Sequence, residues 1–211
     1  MLVKEAKSYG NISTGNTKMP GTTFAIDAFA CITGSKLAKV EGTPCFKCYA
    51  RKLQKLRPSV NQGWINNLDK WNNTNPEMWS QAMAFQIIKY NTDGFHRWFD
   101  SGDLQSVEML AAIVAVCRMT PRIKHWLPTQ ERGIVQEFIR QGNVIPDNLI
   151  IRISGSKING PAPKFANTST VFDKHGEVIG KECKARSRGN QCGPCRACWN
   201  KNVPNVSYPK H

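Results

Sequence analysis

Three short apolar runs, spaced by single longer stretches, constrain this chain more than any other feature. They are His96-Arg-Trp-Phe-Asp100, Arg122-Ile-Lys-His-Trp-Leu127 and Asn148-Leu-Ile-Ile-Arg-Ile-Ser154. Each has the length and the aromatic or β-branched content of a strand. Val107–Met119 lies between the first two and is apolar enough for a buried helix. Glu131–Arg140 lies between the last two, is amphipathic, and is closed by Gly142. Strand–helix–strand–helix–strand with short links predicts parallel strands joined by crossover helices. Crossovers are nearly always right-handed. The expected fold is therefore α/β, either a partial (β/α) barrel or an open parallel sheet.

In such folds function gathers at the carboxyl ends of the strands. A further buried strand is expected over Phe24–Cys31, so the ends are Cys31, Ser101-Gly102-Asp103, Pro128-Thr129-Gln130 and Ser154-Gly155-Ser156. All are polar or ligand-type. Residues 1–23 are rich in Gly, Ser, Thr and Asn and read as loop, as do residues 32–48 around Gly34, Gly42 and Pro44. Helices are expected from Tyr49 to before Pro58, through Trp64, Leu68 and Trp71, and through Met78, Ala82, Phe85 and Ile88. From Gly160 the periodicity is lost and Pro, Lys and Cys accumulate. The expected division is an α/β partial-barrel domain over 1–159 and a cysteine-rich, metal-binding tail over 160–211, packed on it.

Of the eight cysteines, Cys117 sits inside the apolar helix and reads as core. The other seven form two groups. Cys183, Cys192, Cys195 and Cys198 end the chain, the last three as Cys-Gly-Pro-Cys-Arg-Ala-Cys. Two consecutive C-x-x-C steps put several thiolates on one turn, and four complete a tetrahedral zinc site or a 4Fe–4S cubane. The unbroken run is closer to ferredoxin spacing than to paired zinc knuckles, so iron–sulfur is favoured, with zinc as the alternative. Cys31, Cys45 and Cys48 form the other group. Three thiolates hold three irons of a cubane and leave the fourth open. A closed zinc site would need a fourth ligand, for which His96 and His125 are the histidines near expected strand ends. One cluster shared by both groups is a further arrangement.

Lys and Arg number 29 against 15 Asp and Glu, for a net charge of +14 and a pI near 9.6. This implies attraction to polyanions, nucleic acid first, by electrostatics and without sequence preference. The basic stretches Lys36–Arg57 and Lys181–Arg196 both contain cysteines, so their charge also offsets that of thiolates. No apolar run approaches the roughly 20 residues needed to span a bilayer. The start lacks an apolar signal region. The cytoplasm is the expected compartment, where cysteines serve metals more than disulfides. There is no phosphate-binding loop, no serine nucleophile motif and no evident acid–base pair, so no catalytic residue is assigned.

Cys45-Phe-Lys-Cys48-Tyr-Ala-Arg51 resembles the cysteine loop of radical S-adenosylmethionine enzymes. Their pattern is C-x-x-x-C-x-x-C after the first barrel strand; here thirteen residues separate Cys31 from Cys45, and Lys47 precedes Cys48. The resemblance implies a 4Fe–4S cluster on Cys31, Cys45 and Cys48 with S-adenosylmethionine on the open iron. Ser101, Gly102 and Asp103 would meet the cofactor's amino group, with Thr129 and Ser154 lining the same pocket. Phe46-Lys-Cys-Tyr-Ala50, Arg97-Trp-Phe-Asp-Ser-Gly-Asp103, Trp126-Leu-Pro-Thr-Gln130 and the closing cysteine run also resemble the gene product eighty-eight family of phages. That likeness runs from about residue 24 and implies a phage source and a host cytoplasm. The first expectation is a phage iron–sulfur protein, a radical enzyme acting on a nucleic-acid-related substrate. The rival is a non-catalytic, metal-stapled nucleic-acid-binding protein.

Overall fold

The computed structural model of the chain describes residues 1–14 and 17–210. It begins with α1 (Val3–Ser8), β1 (Ser13–Thr14) and β2 (Thr22–Phe24), then four helices: α2 (Ile32–Leu37), α3 (Tyr49–Leu56), α4 (Pro58–Asn72) and α5 (Pro76–Tyr90). The middle alternates as β3 (Phe95–Trp98), α6 (Val107–Met119), β4 (Lys124–Thr129), α7 (Arg132–Arg140) and β5 (Leu149–Ile158). Then come β6 (Thr168–Phe172), β7 (Lys181–Glu182) and β8 (Asn205–Pro209). Local chemistry sets the helix starts. Asn75 accepts from the amides of Glu77 and Met78 ahead of Pro76, and Ser106 accepts from the amide of Met109.

The strands form one open sheet in the order β1-β2-β3-β4-β5-β6-β8-β7, parallel throughout except for the β1–β2 pair. The sheet does not close into a barrel. Strands β2 to β5 follow chain order, as repeated right-handed crossovers would give, and α1, α4, α5, α6 and α7 share one core with the sheet. Side chains alternate along each strand, so the register separates two layers. Trp98, Leu127, Ile151 and Ile153 join residues of α5, α6 and α7 in the main core. Arg97 pairs with Trp126, and Trp126 with Ile150. These point to the other face, which no helix covers.

The tail covers it. The Trp199 ring stands 5.4 Å from Phe95 and 5.2 Å from Trp126, and its indole N–H donates to the His96 carbonyl at 2.8 Å. Arg152 of β5, with no exposed surface, donates to the carbonyls of Thr168, Ala197, Cys198, Asn200 and Val203 at 2.8 to 3.2 Å. One guanidinium thus fastens the cysteine-bearing turn to the sheet.

Several expectations need correction. The strand expected over Phe24–Cys31 is earlier and shorter, because the Asp27 side chain accepts from the Phe29 amide and turns Ala28–Ala30 into a 3-10 turn. Residues 1–23 are not all loop, and residues 32–48 contain α2. The stretch after Gly160 supplies three strands of the same sheet. β6 and β8 lack an apolar signature because most of their buried positions are polar and bond across strands: Thr168 Oγ1 donates to Asn205 Oδ1 at 2.7 Å, and Thr170 and Ser207 hydroxyls meet at 2.8 Å. Among the described residues no helix is long and apolar enough to cross a membrane.

Candidate functional site

The carboxyl edge of the sheet collects the first cysteine group. Phe24 pairs with Trp98, so the segments leaving β2 and β3 run together. The Ile26 amide donates to the Ser101 carbonyl at 3.1 Å and the Asp100 amide to the Phe24 carbonyl at 3.2 Å. Cys31 caps the start of α2, Cys48 caps the start of α3, and the Cys48 amide donates to the Cys45 carbonyl at 3.2 Å. A Cβ on Gly34 would stand 3.6 Å from Cys31 Sγ and 3.8 Å from Cys45 Sγ, so one small residue lies against both sulfurs. Burial, then Asp103, Cys48 and Cys45, raise the Cys31 thiol well above its ordinary value. Burial, then Cys48 and Asp103, push Cys45 up to about 11. The three expected thiols therefore share one partly buried place, close to Asp103.

The strand ends beside them are tied together by carboxylates. Asp103 accepts from the amides of Leu104 and Gln130, both at 2.8 Å, and from the Thr129 hydroxyl. Burial nevertheless raises its carboxyl to about 7. Glu131 accepts from the Thr33 amide and hydroxyl, both at 2.7 Å, which moors α2 to the end of β4. Gly102 has φ +79°, and a Cβ there would fall 2.3 Å from Ile26 Cγ1, so glycine is required.

Of the expected cofactor-binding residues, Ser101, Gly102, Asp103 and Thr129 come together at this edge. Both Asp103 oxygens are occupied by the protein. Ser154 lies in β5, where its hydroxyl accepts from Ser169 at 3.3 Å. Gln130 links β4 to β5 by donating to the Gly155 carbonyl at 3.2 Å. His96 and His125 lie in the core instead, bonded to the hydroxyls of Thr22 and Thr120 at 2.8 Å each.

Three polar atoms at the end of β3 are buried and have no hydrogen-bond partner among the described residues: Asp100 Oδ1, Ser101 Oγ and Arg97 Nε. Most buried polar atoms find a partner; here the Arg97 and Asp100 charges act on each other, and these three atoms keep hydrogen-bonding capacity unused. The other Asp100 oxygen accepts from Thr23 Oγ1 at 3.0 Å. Arg97 stacks over Trp126, its guanidinium carbon 4.6 Å from the ring centroid.

The second group forms under Arg97 and Arg152. The Cys183 amide donates to the Ser207 carbonyl at 2.8 Å, Cys192 to Lys18 at 2.7 Å and Cys195 to Cys192 at 3.2 Å. Cys198 lies on the turn that Arg152 grips, with its sulfur 3.1 Å from the Tyr208 hydroxyl. Burial, then Cys183 and Cys195, raise the Cys192 thiol. Burial pushes Cys198 up to about 12, against the Tyr208 hydrogen bond and the Arg152 charge. Both guanidiniums feel the Cys198 sulfur, and Arg97 also feels Tyr49, which follows Cys48. Arg97 thus stands between the two thiol groups. Sequence reasoning passed over Arg97 and Arg152; the available signal was a cation in the middle of an otherwise apolar strand.

All eight cysteines are free thiols. Among the described residues no three Cys, His, Asp or Glu side chains are closed into metal-binding geometry. In comparison with known proteins, residues 4–201 match the family model described as Gene product 88. No curated protein and no solved structure matches.

Proposed function

The chain belongs to the Gene product 88 family, and on that premise we propose that it is an iron–sulfur protein with a radical S-adenosylmethionine-like reaction edge. Cys31, Cys45 and Cys48 hold a 4Fe–4S cluster that keeps one iron open. Cys183, Cys192, Cys195 and Cys198 hold a second, closed centre, of iron–sulfur or zinc. When bound, the first cluster would supply an electron to the sulfonium of S-adenosylmethionine.

The single observation that carries this reading is the set of orphaned buried atoms, Asp100 Oδ1, Ser101 Oγ and Arg97 Nε, at the end of β3, on the segment whose Asp103 acts on the Cys31 and Cys45 thiols. A carboxylate and a hydroxyl accept from an amino group, and a guanidinium pairs with a carboxylate. These are the two charged ends of an amino-acid moiety. For the second centre, the donor chemistry fits a thiophilic metal. Four thiolates on a divalent charge leave two net negative charges, and the two guanidiniums at Cys198 match them. Raised thiol pKa values in the metal-free chain are the electrostatic cost that a bound cation reverses. The substrate of this reading is nucleic-acid-related, and the compartment is the host cytoplasm.

The test is anaerobic purification after iron-replete expression, with iron, sulfide and zinc analysis and a visible spectrum. The expected product is brown with acid-labile sulfide, and its reduced paramagnetic spectrum changes when S-adenosylmethionine is added. A colourless protein with stoichiometric zinc and no sulfide overturns the iron assignment. The +14 charge favours a second reading, a non-catalytic, metal-stapled protein that binds nucleic acid without sequence preference. An unchanged spectrum, no cofactor cleavage and salt-sensitive nucleic-acid binding would select it.

A further inference from the structure

Helix α3 turns its apolar stripe outward. Leu53 and Leu56 are exposed, Leu56 by 65%, whereas Ala50 and Gln54 are buried; Tyr49 shows part of its ring to solvent but donates its hydroxyl inward to the Asp100 carbonyl. A surface helix ordinarily does the reverse. Phe46, just before the helix, is 39% exposed, and Phe29 is 41% exposed. The Phe29 ring has the Arg51 guanidinium at 5.0 Å and the Lys55 ammonium at 5.6 Å from its centroid.

Charge on this face is one-sided. Positions 36 to 57 carry seven Lys or Arg and one acid, Glu41. Among the described residues the salt bridges are Arg140–Glu137 and Lys201–Asp147, which leave these cations without an acidic partner. Two copies of such a face would repel each other. Cations interleaved with exposed rings match a strand that offers phosphates and unpaired bases together.

We propose that this face binds single-stranded nucleic acid and presents it to the thiol-lined edge that begins at Cys48. Phosphates lie on Lys47, Lys52 and Lys55, and bases stack on Phe29 and Phe46. A duplex keeps its base faces stacked away from such rings. The inference rests on the reading of that edge as the reacting one, for which it names the substrate class.

The test uses the full chain, purified anaerobically, with iron and sulfide measured on every sample. A labelled short oligouridylate, an abasic oligomer of equal length and a duplex are titrated at graded salt by anisotropy. Oligouridylate is expected to bind tightest. Phe29→Ala and Phe46→Ala are each expected to weaken it about tenfold, as loss of one stacked base does, with metal content unchanged. Lys55→Glu lowers the salt slope. Lys89→Glu, near Asn91 at the opposite edge of the sheet, leaves affinity unchanged. Equal binding of the abasic oligomer or the duplex, or no effect of either phenylalanine, overturns the proposal. So does a concentration-dependent dimer abolished by Leu53→Glu, which would make the face a self-association surface. Metal-free protein that still binds through Phe29 keeps the surface and rejects the iron reading. Iron-loaded protein that fails to discriminate does the opposite.

Discussion

Arg152 has no exposed surface and no carboxylate at its guanidinium; five backbone carbonyls surround it. An Arg152→Met chain keeps most of the volume but strands those acceptors. Each unsatisfied buried acceptor costs about 1–3 kcal/mol. The expected loss exceeds that of any surface substitution and is read as a lowered denaturant midpoint; a shift within about 0.5 kcal/mol would show that the turn holds itself. Cysteines separate the same way. If the tail binds metal, Cys198→Ala forfeits metal-coupled folding energy, on the order of 10 kcal/mol for structural zinc. Cys117→Ala removes only a buried thiol, for about 1 kcal/mol. Equal melting shifts would sink the metal assignment of the tail. At this scale the proximity of Cys31 to Cys45 and Cys48, and of Cys192 to Cys183 and Cys195, was legible in the sequence. The arginines between them were not, because their role depends on which strand face they occupy.

The elements of the middle were the legible ones. Val107–Met119 is α6 to the residue, and β3, β4, α7 and β5 fall where the apolar runs place them. Their periodicity reflects burial against a helix layer or the sheet. β6 and β8 were hidden because Thr168, Thr170, Asn205 and Ser207 fill buried positions with paired polar groups. α2 was hidden because it is only Ile32–Leu37 long, too short to show a period. Hydrogen exchange should follow this architecture. Amides of β4 and β5, flanked by strands on both sides, are expected to exchange slowest, and those of the edge strands β1 and β7 fastest. Fast exchange throughout β5 would contradict the anchoring of the tail on that strand.

Across the whole molecule, stability should depend on the buried histidines. His96 and His125 have no exposed surface. Burial pushes His125 down to about 3, and burial with the neighbouring His125 lowers His96 well below its ordinary value. A base whose folded pKa is depressed takes up protons mainly when unfolded. The stabilisation is therefore full above about pH 6.5 and is lost as pH falls toward about 3. The loss for His125 is on the order of 5 kcal/mol. Asp103 acts oppositely, since its raised carboxyl disfavours the fold as pH climbs from about 4 to about 7. Urea unfolding at graded pH should therefore show stability falling below about pH 4, where the histidines act together with the lowered carboxyls of Glu137, Asp147 and Asp173, and His125→Gln should make that limb shallower. A wild-type limb as flat as the variant's would remove the histidines from the argument.

Trp199 and Arg152 also impose an order on biosynthesis. A ribosome delivers β2 to β5 with their helices long before it delivers the residues that cover the opposite face. Phe95, Arg97, Trp126 and Arg152 of the growing chain have no lid until Trp199 has cleared the exit tunnel. Domains generally fold as units during synthesis, and an exposed apolar surface invites aggregation while it lasts. The first thiol group can assemble on the nascent protein before the second exists, because Cys183, Cys192, Cys195 and Cys198 all follow β2 to β5 in the chain.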